Sequence, residues 1–272
     1  MKILENPLPY NQESEIETSK ISWFYDKTSD LVEINIKTFE KTLHRLYLPK
    51  TNINESISIC QLPGNKLFCY INTIGWNDLS GMTFIVNENY EVQFLPTGTP
   101  SLGFFGTYYK NCVYVFGGEF AKRFNLDKWR WEKLVKFPSS TRWCSSTFLN
   151  NIILATGRDW DNIFALDLLT LSFSSCPVSL IFYQNKFLCN FEDSAYLIEY
   201  PGKILESGKN DPFDWNFIGN FFSSKEEGFT GRKALYNKAW YFLTGDTEII
   251  KFDLEEKNIL RIHLPLTYKR GF

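Results

Sequence analysis

A short apolar strand opened by a small polar residue recurs six times along this chain. The segments are Ser19-Lys-Ile-Ser-Trp-Phe, Asn65-Lys-Leu-Phe-Cys-Tyr, Asn111-Cys-Val-Tyr-Val-Phe, Asn151-Ile-Ile-Leu-Ala-Thr, Asn185-Lys-Phe-Leu-Cys-Asn and Asn237-Lys-Ala-Trp-Tyr-Phe. The intervals between their first residues are 46, 46, 40, 34 and 52 residues. A strand-built unit of this length cannot bury its faces alone, so neighbouring units must stack on one another.

A period of this size made of strands implies a β-propeller. The predicted fold is all-β, with six four-stranded antiparallel blades in a single domain. The units run over about 13–50, 51–97, 98–138, 139–178, 179–222 and 223–265. The clearest is the fourth: Arg142-Trp-Cys-Ser-Ser-Thr-Phe-Leu-Asn, Ile152-Ile-Leu-Ala-Thr-Gly, Asn162-Ile-Phe-Ala-Leu-Asp167 and Leu171-Ser-Phe-Ser-Ser-Cys-Pro are its four strands. Turns rich in Asn, Asp, Gly and Pro separate them, and Asn150-Asn151 is predicted to make a tight hairpin because Asn tolerates positive φ. In the fifth unit Pro201–Asp214 reads as a polar insert between the third and fourth strands, with Asp214-Trp-Asn-Phe-Ile as the fourth. Residues 1–12 and 266–272 fall outside the units, and one of these ends is expected to close the ring on a blade edge.

The third unit carries Val113-Tyr-Val-Phe-Gly117-Gly118, then Phe124-Asn-Leu-Asp127, then Trp131. The fourth keeps Thr156-Gly157 and Leu166-Asp167, and the sixth keeps Thr244-Gly245 and Phe252-Asp253. This pattern resembles the kelch repeat, in which a strand ending in Gly-Gly is followed by an aromatic-x-Asp strand and a Trp. The first, second and fifth units lack the double Gly and match by spacing and strand pattern. The resemblance implies a propeller and does not by itself imply an activity.

Charge is balanced: 29 Lys and Arg against 31 Asp and Glu give a net −2, with no like-charge run. That excludes a nucleic-acid footprint, which needs clustered cations, and a polybasic membrane anchor. No signal-type apolar stretch opens the sequence and no run is long enough to span a membrane, so a cytoplasmic protein is expected. The six cysteines lie within or beside strands and none forms a Cys-x-x-Cys pair, which is read as buried reduced thiols.

Little points to chemistry. His44 and His263 both fall in fourth strands, expected to be outer ones, away from any convergent ligand set. Some kelch-like propellers are copper-radical oxidases, but those need histidines on the ring face. Cysteine spacing disfavours zinc, and no phosphate loop or nucleophile elbow is present. Asp127, Asp167 and Asp253 read as turn caps rather than catalytic carboxylates, and Trp131, Phe173 and Ile259 as packing between blades. No cofactor is expected.

Binding is expected on the face formed by the connections from second to third strand and from one blade to the next, because these vary in length while the strands do not. Trp76, Phe120, Trp160 and Phe191 are expected to stand exposed there as aromatic anchors. Arg142, Trp143 and Arg232 start first strands near the same face, and Arg142, Arg158 and Arg232 suit carboxylates. The expected function is a non-enzymatic adaptor, substrate-recognition or scaffold subunit. Its partner is a protein or peptide with acidic and apolar groups, within a larger complex, and not a nucleic acid. The alternatives are an enzyme acting on a small sugar, as in kelch-like epimerases, and a carbohydrate-binding propeller.

Overall fold

In the computed structural model the chain is all-β. It describes residues 16–24, 30–49, 57–74, 79–96, 106–116, 120–137, 144–157, 160–176, 178, 180, 185–200, 202–208, 211–221, 229–244, 247–265 and 268–270. Six four-stranded sheets form the blades of a propeller. The first blade holds β1 (Lys20–Phe24), β2 (Asp30–Asn35) and β3 (Lys41–Arg45). The second holds β4 (Ile57–Leu62), β5 (Lys66–Ile74), β6 (Leu79–Val86) and β7 (Val92–Leu95). The third holds β8 (Gly106–Tyr109), β9 (Cys112–Val115), β10 (Phe120–Asn125) and β11 (Arg130–Lys136). In the fourth are β12 (Cys144–Leu149), β13 (Ile152–Gly157), β14 (Ile163–Asp167) and β15 (Ser172–Cys176). The fifth contains β16 (Asn185–Phe191), β17 (Ser194–Tyr200), β18 (Gly202–Ser207) and β19 (Trp215–Phe221). The sixth contains β20 (Phe229–Tyr236), β21 (Ala239–Thr244), β22 (Glu248–Asp253) and β23 (Ile259–His263).

The last strand, β24 (Tyr268–Arg270), returns to the first blade and pairs with β3 in parallel. It thereby covers an edge that would otherwise expose unpaired backbone groups. His44 is therefore not on an outer strand: β24 lies beyond β3. His263, at the end of β23, is exposed.

The repeated polar residue marks one structural place in most blades. It is the tight turn between first and second strands. Tyr109 pairs with Cys112 and Tyr236 with Ala239, leaving two-residue loops at 110–111 and 237–238. Both residues of each loop have positive φ, as do Gly64 and Asn65. A turn with φ positive at both positions matches the twist of the flanking strands, which is why Asn and Gly are used. At Asn150-Asn151 the expected hairpin forms, with Leu149 paired to Ile152 and Asn150 at φ 56°. The carbonyl of Asn111 accepts from Leu126 N–H at 3.0 Å and that of Asn151 from Leu168 N–H at 2.9 Å. Ser19 does the same for Ile36 N–H at 2.8 Å, so β1 matches the second strand of the other blades. Just before it, Thr18 N–H donates to Leu235 O of the sixth blade at 2.8 Å.

The fifth blade differs from the sequence expectation. Asn185 opens the first strand, and the turn lies at Glu192-Asp193, where Phe191 pairs with Ser194. Measured to Asp193, the uneven 34- and 52-residue intervals become nearly equal. Pro201–Asp214 is not an insert. Gly202–Ser207 is the third strand, paired with β17 and β19, and only the turn before Trp215 remains of it.

Six apolar clusters fill the six seams between neighbouring blades. Trp131 and Phe173, expected between blades, are there, as is Ile259. Each fully buried side chain of this size contributes about 1.5–3 kcal/mol, so the seams hold the ring. On β8 and β12, the first strands of the third and fourth blades, hydroxyl side chains make the contacts with neighbouring blades. Thr107 and Ser146 hydroxyls lie 2.6 Å apart, and Leu188 N–H donates to Ser145 Oγ at 2.9 Å. Cys60, Cys69, Cys112, Cys176 and Cys189 are free and buried. Burial pushes the Cys176 thiol up to about 12.

Candidate functional site

In each antiparallel sheet, the first-to-second and third-to-fourth turns lie at one end and the second-to-third connection lies at the other. The turn-side end is closed by its own hydrogen bonds. Asn125 Oδ1 accepts from Asp127 and Lys128 N–H, both at 3.0 Å. Asp167 Oδ1 accepts from Leu169 N–H at 2.7 Å and Thr170 N–H at 3.0 Å, and Asp253 Oδ1 from Glu255 and Glu256 N–H at 3.2 and 3.1 Å. Asp167 and Asp253 are thus the turn caps expected from sequence. In the third blade Asn125 holds that place, and Asp127 instead accepts a hydrogen bond from Asn111 Nδ2.

The other end carries connections of unequal length. Between second and third strands they span 25–29, 75–78, 116–119, 158–162, 201 and 245–247. This loop-side face is where sequence analysis places a partner. Trp76, Arg142, Trp143 and Arg158 lie outside the described residues. Phe120 opens β10 opposite Lys136, and its side chain is outside them as well.

The three remaining side chains do not converge. Trp160 is 4% exposed and packs in the seam of the third and fourth blades, its ring centroid 4.9 Å from Phe137 and 5.0 Å from Phe164. It was expected to stand exposed. Instead the aromatic side chains of Phe137, Phe164 and Phe116 build an apolar slot for it, and burying an indole there outweighs leaving it in water. Among the described residues its Nε1 has no acceptor. Phe191 also departs from expectation. It ends β16 beside the Glu192-Asp193 turn, so it lies on the turn side, half-buried against the seam of the fifth and sixth blades. Arg232 lies in β20, its guanidinium 5.0 Å from the Trp23 ring centroid in the seam of the sixth and first blades. Cation–π contact holds it in place there.

Other residues at the loop-side ends were missed. Lys186 and Glu199 are opposite one another in the β16–β17 register and are 4% and 0% exposed. Lys186 Nζ donates to Gly157 O at 3.4 Å, next to Arg158. In mid-strand β20, away from that end, Lys233 Nζ donates to Leu188 O at 2.7 Å and sits 4.6 Å from the Trp240 ring centroid. Tyr47 follows β3 on the loop side and is 91% exposed. The alternation Lys186, Leu188 on one strand face was the available signal for a buried lysine, and nothing local marks Tyr47. Among the described residues no group of three or more His, Cys, Asp or Glu side chains converges as a metal site.

No protein-family model matches the chain, and no curated protein matches it.

Proposed function

We propose that this propeller is a non-enzymatic protein-interaction module: an adaptor, substrate-recognition or scaffold subunit working in the cytoplasm as part of a larger assembly. The six-bladed fold is compatible with that role. The observation that carries the reading is the difference between the two faces. Turn-side connections span two to seven residues and are hydrogen-bonded to themselves, whereas the blade-to-blade connections on the loop side, 46–56, 96–105, 137–143, 177–184 and 222–228, run from seven to eleven residues. The partner surface is the loop-side face, to which the sequence assigns Arg142, Arg158 and Arg232. A partner of acidic and apolar character fits them, and fully exposed Tyr47 is the type of residue that anchors such contacts.

The test is affinity purification from the native cell, wild type beside an Arg142→Ala/Arg158→Ala variant of unchanged melting temperature. Trp160 is left intact, because removing it would damage the core. A partner lost by the variant supports the reading. A partner kept by both moves the interface to the turn side or the outer rim.

A second reading has one observation in its favour. A buried, in-register Lys186 and Glu199 beneath the loop-side face is the kind of charge placement that acid–base sites use. It belongs to an enzyme acting on a small sugar. A thermal-shift screen of sugars, wild type against Glu199→Gln, separates it from the adaptor.

A further inference from the structure

On the seam of the first and second blades lies a polar cluster built from both. Glu33 of β2, 7% exposed, stands at its centre. Its Oε2 accepts from the Tyr90 hydroxyl at 2.6 Å and from Lys20 Nζ at 2.9 Å, and His44 Nε2 lies 3.4 Å from it. Ser22 Oγ donates to Oε1 at 3.3 Å, and Lys20 Nζ also donates to the Tyr90 oxygen at 3.1 Å. The His44 and Tyr90 rings stack face to face, centroids 3.6 Å apart and 13° from parallel.

The members come from two blades. Ser22 and Glu33 are register partners, and His44 lies opposite Leu31, two residues from Glu33 on the same sheet face. Tyr90 alone comes from the second blade, from the turn between β6 and β7, with φ 63°. The same first blade receives β24, so the cluster sits beside the closure of the ring.

We propose that this cluster is an acid-sensitive latch, in which protonation of His44 releases Tyr90 and loosens the turn-side end of the seam between the first and second blades. With Tyr90 seated, the imidazole is covered on one face and has little room for solvent. Glu33 already takes two donors, one of them the Lys20 ammonium, so a second cation enters a pocket whose carboxylate is in use. The groups facing His44 are Lys20 and Ser22 from β1, Glu33 from β2 and Tyr90 from the turn. β24 runs alongside β3, with Lys269 and Arg270 in register with Thr42 and Leu43. Burial lowers the affinity of His44 for a proton, Glu33 acts against this and Lys20 reinforces it, leaving the pKa below the ordinary 6.5. A lowered histidine favours the closed seam above 6.5, and that preference is lost as pH falls toward the folded value.

The experiment is amide exchange of residues 86–92, corrected for intrinsic rates, at pH 7.5 and 5.5. In wild type the opening constant is expected to rise on acidification, by up to roughly tenfold for the unit below 6.5. In His44→Gln it is expected to stay flat, whereas His263→Gln, which removes the other histidine, keeps the response. Equal opening at both pH values in wild type, or an unchanged pH response in His44→Gln, overturns the proposal. Should His44→Gln fail to fold, an NMR titration of wild-type His44 decides it: a pKa at or above 6.5 overturns the latch, and one below supports it.

Discussion

Lys257 of the sixth blade places its ammonium 2.6 Å from Glu206 Oε2 of the fifth, and it does so from a backbone φ of 50°. Four other blades put a large residue at the same place in the third-to-fourth turn: Phe39 at 57°, Tyr90 at 63°, Trp129 at 52° and Leu171 at 53°. Left-handed backbone is unfavourable for such side chains, by of order 1 kcal/mol each. At three of these positions the side chain is seen reaching the preceding blade: Phe39 packs in the seam with the sixth, Tyr90 bonds Glu33, and Lys257 bonds Glu206. The turn thus trades local strain for an interblade staple.

Replacing Lys257 tests that trade. Lys257→Gly removes the strain and the ion pair together, so stability is expected to stay within about 1 kcal/mol of wild type. Lys257→Val keeps the positive φ, adds a β-branch and loses the pair, so it is expected to melt below both. Tyr196 also donates to Glu206, at 2.8 Å. Burial pushes the Glu206 carboxyl up, but Lys257 and Tyr196 outweigh it and hold the group below its ordinary 4.5. A depressed carboxylate adds stability above 4.5 that is lost as pH falls through the folded value. Glu206→Gln is therefore expected to flatten the acid side of a melting-temperature profile.

Gly106 in β8 tests the packing near the axis. A Cβ there would meet Val113 Cγ1 at 2.9 Å and Cys60 Cβ at 3.4 Å. Val113 is fully buried and β-branched, so it cannot swing aside. Gly106→Ala is expected to cost about 1–3 kcal/mol by urea unfolding. Gly219→Ala is the control, because its Cβ would meet nothing within 4 Å among the described residues. It is expected to be neutral or stabilising by up to about 1 kcal/mol.

Asn125 caps its turn through two backbone N–H groups while almost buried. Asn125→Ala leaves both donors unmatched and is expected to cost about 1–3 kcal/mol. Asn125→Asp offers the same acceptor that Asp167 and Asp253 use in their blades and is expected to recover most of it. Melting curves of the two variants side by side check this.

Much of the architecture was legible because turn chemistry announces itself. Asn at 65, 111, 150 and 237 occurs where positive φ is needed, and Asp167 and Asp253 occur where a turn needs a cap. The fifth blade misled because Glu192-Asp193 makes its turn without Asn or Gly, while Asn185 offered a false marker seven residues earlier. Pro201 and the polar run after it hid β18, whose identity comes from its pairing with β17 and β19 rather than from its composition. The candidate site was less legible. Whether an aromatic flanked by Asp stands in water or folds inward is decided by residues distant in sequence, as Phe137 does for Trp160. Lys186 and Glu199 met only through register.

Trp160 separates packing from hydrogen bonding. Its ring fills the seam between the third and fourth blades, yet its indole N–H finds no acceptor among the described residues. An unmatched buried donor costs about 1–3 kcal/mol. Trp160→Phe removes that cost and leaves a partly filled slot lined by Phe137 and Phe164, so the two changes offset. Its stability is expected to lie within about 1.5 kcal/mol of wild type. Trp160→Ala keeps neither ring nor contacts and is expected to lose about 3–5 kcal/mol. Urea unfolding of both distinguishes this from a surface aromatic, for which neither substitution would move the midpoint. A buried Trp160 also means that binding lost in Trp160→Ala would report unfolding, not a missing anchor, so loop-side variants must be judged on Arg142, Arg158 and Tyr47.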